Sequence, residues 1–258
     1  MITANDTILL IDLKDCSKRY LVAVSQKKFS TKRGEINLEE LIGKDFGIII
    51  KTHLGAKYAV VRPTLHDKIM QGVSRQTQIV YPKDSGFIAI WLGLANGQRI
   101  FECGSGSGAM TIILANAVAP DGIVVSYDCD ERFYEQAQKN ITKFGLAKNV
   151  EFHLRDIENG IDGAPYDAVF IDVREPWNYI QHIWSALSGG APVCFVLPTT
   201  NQLQELLRSF ETHKGFIDIR VAETIMRFYK PVADRLRPED RMVAHTTFIV
   251  MARKILIE

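Results

Sequence analysis

The chain has little of what marks a membrane protein, a secreted domain or a zinc module. No apolar run approaches the roughly 18 residues of a membrane span. The longest candidate, Phe87 to Ala95, is half that and is interrupted by Gly93. The first residues, Met-Ile-Thr-Ala-Asn-Asp, carry neither a basic n-region nor an apolar h-region, so no secretory signal is expected. The four cysteines, Cys16, Cys103, Cys129 and Cys194, are scattered without a C-x-x-C pair or neighbouring histidines. That usage points to a reducing cytoplasm and argues against a metal site. An excess of one charge is missing too: the formal net charge is +1 over 258 residues, which does not announce a polyanion binder. There is no internal repeat and no low-complexity tract.

What is present is ample core material, 47% of residues being hydrophobic, enough for one large domain or a large one with a small companion. The charge is unevenly spread. Between Lys14 and Arg33 lie seven basic residues (Lys14, Lys18, Arg19, Lys27, Lys28, Lys32, Arg33) against one acid, Asp15, and Arg227, Lys230, Arg235, Arg237 and Arg241 form a second basic stretch. Such runs are solvated faces unless other features point to RNA.

Residues 1–62 read as a small β domain: Thr7–Ile11, Tyr20–Val24 and Tyr58–Val61 are short apolar runs separated by turn residues. Pro63 marks the expected boundary, a short helix and linker reach Arg75, and residues 63–258 form the second domain. Strand and helix then alternate. A helix from an Asp84 N-cap to Leu92 precedes strand Arg99–Cys103, helix Ala109–Val118, strand Ile123–Tyr127 and helix Glu131–Phe144. Strands Val150–Leu154 and Tyr166–Ile171, helix Tyr179–Leu187, strand Pro192–Leu197, helix Gln202–Phe210, strand Ile217–Ala222 and a final strand Met242–Ala252 follow. This order predicts an α/β, Rossmann-like, largely parallel sheet with helices on both faces.

Ligands of open α/β sheets bind beyond the carboxyl ends of the strands. There the sequence places Glu102-Cys-Gly104-Ser105-Gly106-Ser107-Gly108-Ala109-Met110. The G-x-G-x-G spacing differs from the G-x-G-x-x-G of a pyrophosphate-binding turn, and the preceding acid suits a cationic, zwitterionic ligand. It is the first motif of S-adenosylmethionine (SAM) methyltransferases; read alone, it is also compatible with an ordinary glycine-rich loop. Asp128, Asp156 and Asp172 close three further strands. Each alone is compatible with a helix cap, but together they are in register with the glycine turn. Asp128 can take ribose hydroxyls and Asp156 an adenine amine.

Further blocks carry a resemblance. Thr77 to Asp84 contains Y-P-K-D, Asp172 to Asn178 reads D-x-x-x-P-W-N, Pro198-Thr-Thr-Asn-Gln202 follows the fifth strand, Lys230 to Pro238 is basic, and Arg241 to Thr246 reads R-M-x-A-H-T. Over essentially its whole length the chain resembles the tRNA (adenine-58-N1)-methyltransferases of the TrmI type. The resemblance implies a class I methyltransferase domain and methyl transfer from SAM to adenine N1 in the T loop of tRNA, at position 58 and in some relatives also 57. It also implies a homotetramer. It implies that Ser107 to Met110, Asp128, Phe133, Asp156 and Asp172 line the SAM pocket, with Asp172 also engaging the target base and Tyr81 beside it. Glu102, Gly104, Ser105, Gly106 and Gly108 complete the expected cofactor site.

Two positions depart from the family pattern: Arg174 stands where many relatives have proline, and Asp128 where Glu is usual. Trp177 is compatible with stacking on a base or with packing in the core, and His245 with an RNA contact or a buried hydrogen bond. A catalytically silent tRNA-binding subunit and a methyltransferase of a protein or small molecule are the alternative readings. The intact glycines and aspartates disfavour the first, and the family-specific blocks disfavour the second.

Overall fold

The computed structural model describes every residue except Gln26, Gln76, Thr77, Ile257 and Glu258. Thr77, which opens the block containing Y-P-K-D, therefore lies outside the described residues. The chain divides into two compact units, Met1–Val73 and Ser74–Glu258.

In the first unit β1 (Thr7–Asp12), β2 (Arg19–Ala23), β5 (Ile49–Lys51) and β6 (Lys57–Val61) form an antiparallel sheet in the order β2-β1-β6-β5, and β3 (Lys28–Thr31) pairs with β4 (Gly34–Asn37) in a separate hairpin. Ile8, Leu10, Val22, Tyr58 and Val60 supply its core. Asp12 ends β1 fully buried, and the Arg33 guanidinium reaches both its oxygens at 2.6 and 2.8 Å. One member of the basic run is thus spent inside the fold, while Lys14, Lys18, Arg19, Lys27, Lys28 and Lys32 are exposed. The unit extends past the expected 62/63 boundary because Thr64 and Asp67 close a reciprocal capping box around α1 (Leu65–Asp67), and the turn that follows packs on β2.

The second unit is a seven-stranded sheet. Its strands are β7 (Arg99–Cys103), β8 (Ile123–Asp128), β9 (Val150–Leu154), β10 (Ala168–Ile171), β11 (Pro192–Leu197), β12 (Phe216–Ala222) and β15 (Phe248–Lys254), with β13 (Tyr229–Lys230) and β14 (Arg237–Pro238) forming a small hairpin apart. The order is β12-β15-β11-β10-β7-β8-β9. β9, β8, β7, β10 and β11 run parallel, and β15 is antiparallel to both its neighbours. The helices are α2 (Pro82–Trp91), α3 (Ala109–Val118), α4 (Glu131–Lys143), α5 (Ile180–Ala186) and α6 (Thr200–His213). Alternate residues of each strand divide between the faces. Phe101, Val125, Val169, Phe195 and Val250 pack with Ile183 and Phe210 of α5 and α6. Glu102 and Ser126 turn to the other face, where α3 lies.

Three local expectations are corrected. Asp84 is not an N-cap: Pro82 occupies the first helical turn, where its fixed φ and missing N–H are tolerated, so α2 starts earlier with Tyr81 as cap. The last strand begins at Phe248, not Met242, and residues 242–247 form no strand. Tyr166 makes only an isolated bridge to Leu187 before β10 begins at Ala168.

Candidate active site

The strand order reverses between β7 and β10, so the tips of these two strands diverge into a crevice. Gly104 sits at that point with φ +92°, and a Cβ there would lie 2.0 Å from the backbone oxygen of Asp172. Only glycine lets the two tips pass so closely. Gly108 caps α3 in the left-handed region at φ +76°. Beneath the turn, Glu102 is fully buried and one of its oxygens, Oε2, accepts from Thr111 and Ser126, each at 2.6 Å. Ser105 continues the chain to Ser126 at 2.6 Å. The other oxygen, Oε1, has no partner among the described residues. Burial raises the Glu102 pKa to about 7, opposed by the two hydroxyls.

Three aspartates stand around the cavity beyond this turn. Asp128, closing β8, accepts from the Gly106 N–H at 2.9 Å and the Asp130 N–H at 3.0 Å. Burial pushes its pKa upward. Asp156 caps a short 3-10 turn through the Glu158 N–H at 2.9 Å and also faces the cavity, so a cap and a site residue coincide. Asp172 follows β10, and among the described residues no donor reaches its carboxylate. That carboxylate opens onto the cavity. Desolvation by the surrounding protein atoms, with the charge of Asp128 adding, raises its pKa to about 7.

The cavity is about 510 Å³, within the range of small-molecule sites. Gly104, Ser105, Gly106, Ser107, Ala109, Met110, Asp128, Phe133, Asp156 and Asp172 all line it. Glu102 and Gly108 do not; they stand behind the wall, Glu102 bracing the turn from below and Gly108 starting α3. Cys129, Arg155, Ile157, Val173 and Tyr179 also line the cavity and are not in the sequence-derived set. Four of them adjoin one of its aspartates in sequence, the only signal that could have found them.

A second cavity of about 390 Å³ adjoins the first and shares Asp172, Gln78, Ile79 and Val80 with it. Tyr81, Pro198, Val243, His245, Thr246 and Thr247 line its far side. Tyr81 is thus brought to Asp172 across one cavity. Trp177 lines neither cavity and packs against the core instead. His245 is exposed, not buried. Its Nδ1 lies 2.8 Å from Glu223 and its Nε2 3.1 Å from the Pro198 carbonyl, and both contacts raise its pKa, the Glu223 hydrogen bond most. With an acceptor at each nitrogen, the doubly protonated ring satisfies both.

Residues 60–247 match the family described as the tRNA methyltransferase complex GCD14 subunit. The chain is 34% identical to the tRNA (adenine(58)-N(1))-methyltransferase TrmI of Thermus thermophilus over 249 residues, 96% of each chain. It is 30% identical to the tRNA (adenine(57)-N(1)/adenine(58)-N(1))-methyltransferase TrmI of Methanocaldococcus jannaschii over 95% of this chain and 94% of that one. Among solved structures, a SAM-dependent O-methyltransferase from Thermotoga maritima superposes with a TM-score of 0.92 at 44% identity, covering 100% of this chain and 96% of that one. The tRNA (m1A58) methyltransferase TrmI from Aquifex aeolicus superposes at 0.85 with 39% identity, covering 99% of both.

Proposed function

The chain belongs to the family of the tRNA methyltransferase complex GCD14 subunit, and on that premise we propose that it methylates N1 of an adenine in the T loop of tRNA, at position 58, with SAM as methyl donor. The residues of the larger cavity fit that donor. A bare glycine backbone lets a ligand approach the tips of β7 and β10, and carboxylates at three strand ends favour a ligand carrying positive charge. Asp128 and Asp156 would hold its ribose and adenine, and the glycine turn with Ala109, Met110 and Phe133 would enclose the rest. When bound, SAM supplies an electrophilic methyl on a sulfonium. The second unit would thus carry the transferase and the first, with its exposed lysines, would grip tRNA.

The observation that carries the reading is Asp172, the acid common to both cavities. Adenine N1 has an in-plane lone pair, so no strong base is needed to create a nucleophile. The tasks left to the protein are orientation and stabilisation of the positive charge that develops on the ring. As carboxylate, Asp172 accepts from the adenine N6–H, which does both, and it can take up the surplus proton afterwards. N1 lies on the Watson–Crick edge, so the base must leave its pairing and enter a pocket. The second cavity, with Tyr81 at its wall, would receive it. The Thermotoga relative's description names an oxygen acceptor, and one assay separates the two chemistries. Incubation with SAM and an unmodified tRNA transcript should give a reverse-transcription stop at position 58, which methylation of a ribose oxygen would not produce at the base-pairing edge. SAM binding without any T-loop stop would overturn the substrate.

We further infer a cytoplasmic homotetramer. Residues 223–247 carry Ile225, Met226, Phe228, Val232, Leu236 and Val243 exposed, and Ile90 of α2 is 84% exposed. Apolar surface on this scale is ordinarily covered by another chain. No helix among the described residues is long and apolar enough to cross a membrane.

A further inference from the structure

The Y-P-K-D and A-H-T blocks meet in the fold, although Tyr81 and His245 leave most of that meeting unexplained. We propose that Lys83, Asp84, Thr224 and Thr246 form a positioning clasp that fixes the wall of the second cavity to which Tyr81 belongs and so sets where the acceptor base sits; the inference rests on that cavity being the base's. Asp84 is fully buried, and the Lys83 side chain is 10% exposed. Asp84 Oδ1 accepts from Thr224 Oγ1 at 2.6 Å and Lys83 Nζ at 2.8 Å, and Oδ2 from Thr246 Oγ1 at 2.8 Å and Lys83 Nζ at 3.1 Å. The same Nζ donates to the Thr224 carbonyl at 2.9 Å and to Thr246 Oγ1 at 2.6 Å.

Both oxygens of Asp84 are occupied by two donors each, so this acid has no lone pair to offer a substrate even though it lines the cavity. Its role has to be geometric. A buried ion pair contributes little net stability over an apolar pair of similar volume, because desolvating two charges offsets their attraction. A fully satisfied polar network does fix one arrangement out of many, since each hydrogen bond is directional. Here the fixed parts are the first turn of α2, which follows Tyr81, and the two stretches Glu223-Thr224 and His245-Thr246. The same stretches are joined again by the His245 bridge to Glu223 at 2.8 Å. Thr246 and Thr247 face the cavity that Tyr81 faces. Shifting one wall would displace the base from the transferred methyl, and misplacement by about 1 Å can cost on the order of 100-fold in rate.

The test compares Thr246→Val, which keeps the shape and removes the hydroxyl, with Thr246→Ser, which keeps the hydroxyl. Thr224→Val serves as a second, milder lesion. Each is measured for kcat and KM on tRNA, for SAM affinity by calorimetry, and for base entry with a tRNA carrying 2-aminopurine at the target position. Thr246→Val is expected to lose about 10- to 100-fold in kcat and most of the 2-aminopurine fluorescence rise, with SAM affinity within about twofold of wild type. Thr246→Ser should match wild type, and Thr224→Val should fall between. Wild-type turnover and fluorescence in both valine variants would overturn the clasp. So would a loss of SAM affinity and melting temperature in step with activity, or failure of both valine variants to fold, since each marks a merely structural network. Wild-type protein that binds SAM and leaves tRNA unmethylated would instead defeat the substrate reading, before any variant is made.

Discussion

At the scale of single residues, the acids around the cofactor cavity differ by what surrounds each carboxyl. Asp128 has backbone donors on both oxygens, Glu102 has two hydroxyls on one oxygen and no described partner on the other, and no described donor reaches Asp172. Asp172→Ala should therefore leave tRNA affinity nearly unchanged and lower methyl transfer by about 10²- to 10³-fold, the usual effect of removing one stabilising group at a developing charge. Equal turnover by the variant in single-turnover assays would contradict the role. Glu102 gives a pH prediction. Its folded pKa is raised from 4.5 to about 7 by burial, so the native chain binds this proton more tightly than the unfolded chain. The stability it contributes is complete below the ordinary carboxylate range and is lost as pH rises through about 7. Glu102→Gln cannot ionise and keeps an acceptor for Thr111 and Ser126, so its melting temperature should fall less than that of wild type between about pH 5 and pH 8. Asp172 titrates in the same range, so the wild-type slope is reduced and not abolished; parallel slopes would refute the assignment. The glycine turn and the aspartates were legible because each signal is local: a spacing, or an acid at the end of an apolar run. The clasp was not, because Asp84 finds its threonines 140 and 162 residues away and no local pattern encodes that meeting.

At the scale of elements, the parallel strands were readable from their continuous apolar runs, which doubly covered strands require. Where the reading failed, one residue overrode a pattern. Pro82 moved the start of α2 ahead of Asp84, and the apolar Met242-Val243-Ala244 run resembled a strand while serving an irregular segment. That segment is held to the sheet by His245, which joins the end of β11 at Pro198 to Glu223 beyond β12. The Glu223 hydrogen bond raises the imidazole pKa first and the Pro198 carbonyl second, opposed by desolvation and, more weakly, by Lys83. A raised folded pKa means that the tie contributes below the ordinary imidazole range and fades as pH climbs through the raised value. The melting difference between wild type and His245→Gln should accordingly be largest near about pH 6 and small by about pH 9. A difference that grows with pH would reverse the sign and exclude the charged ring.

At the scale of the whole molecule, exposed apolar side chains concentrate in residues 223–247, a feature the sequence displayed only as scattered hydrophobics among arginines. Replacing Phe228 and Leu236, 63% and 69% exposed, by Asp should leave each chain folded and reduce the mass seen by light scattering to that of smaller assemblies. An unchanged mass would overturn an assembly through this segment. Because β15 follows that segment, the sheet carries a further consequence. Among the described residues β12 pairs with β15 alone, and β15 also pairs with β11 and buries Ile249, Val250, Met251 and Ala252. While the polypeptide is being synthesised, β12 leaves the ribosome with no strand to bond to. That edge of the sheet is sealed only when the segment carrying β15 emerges, so β12 waits for a strand made after it.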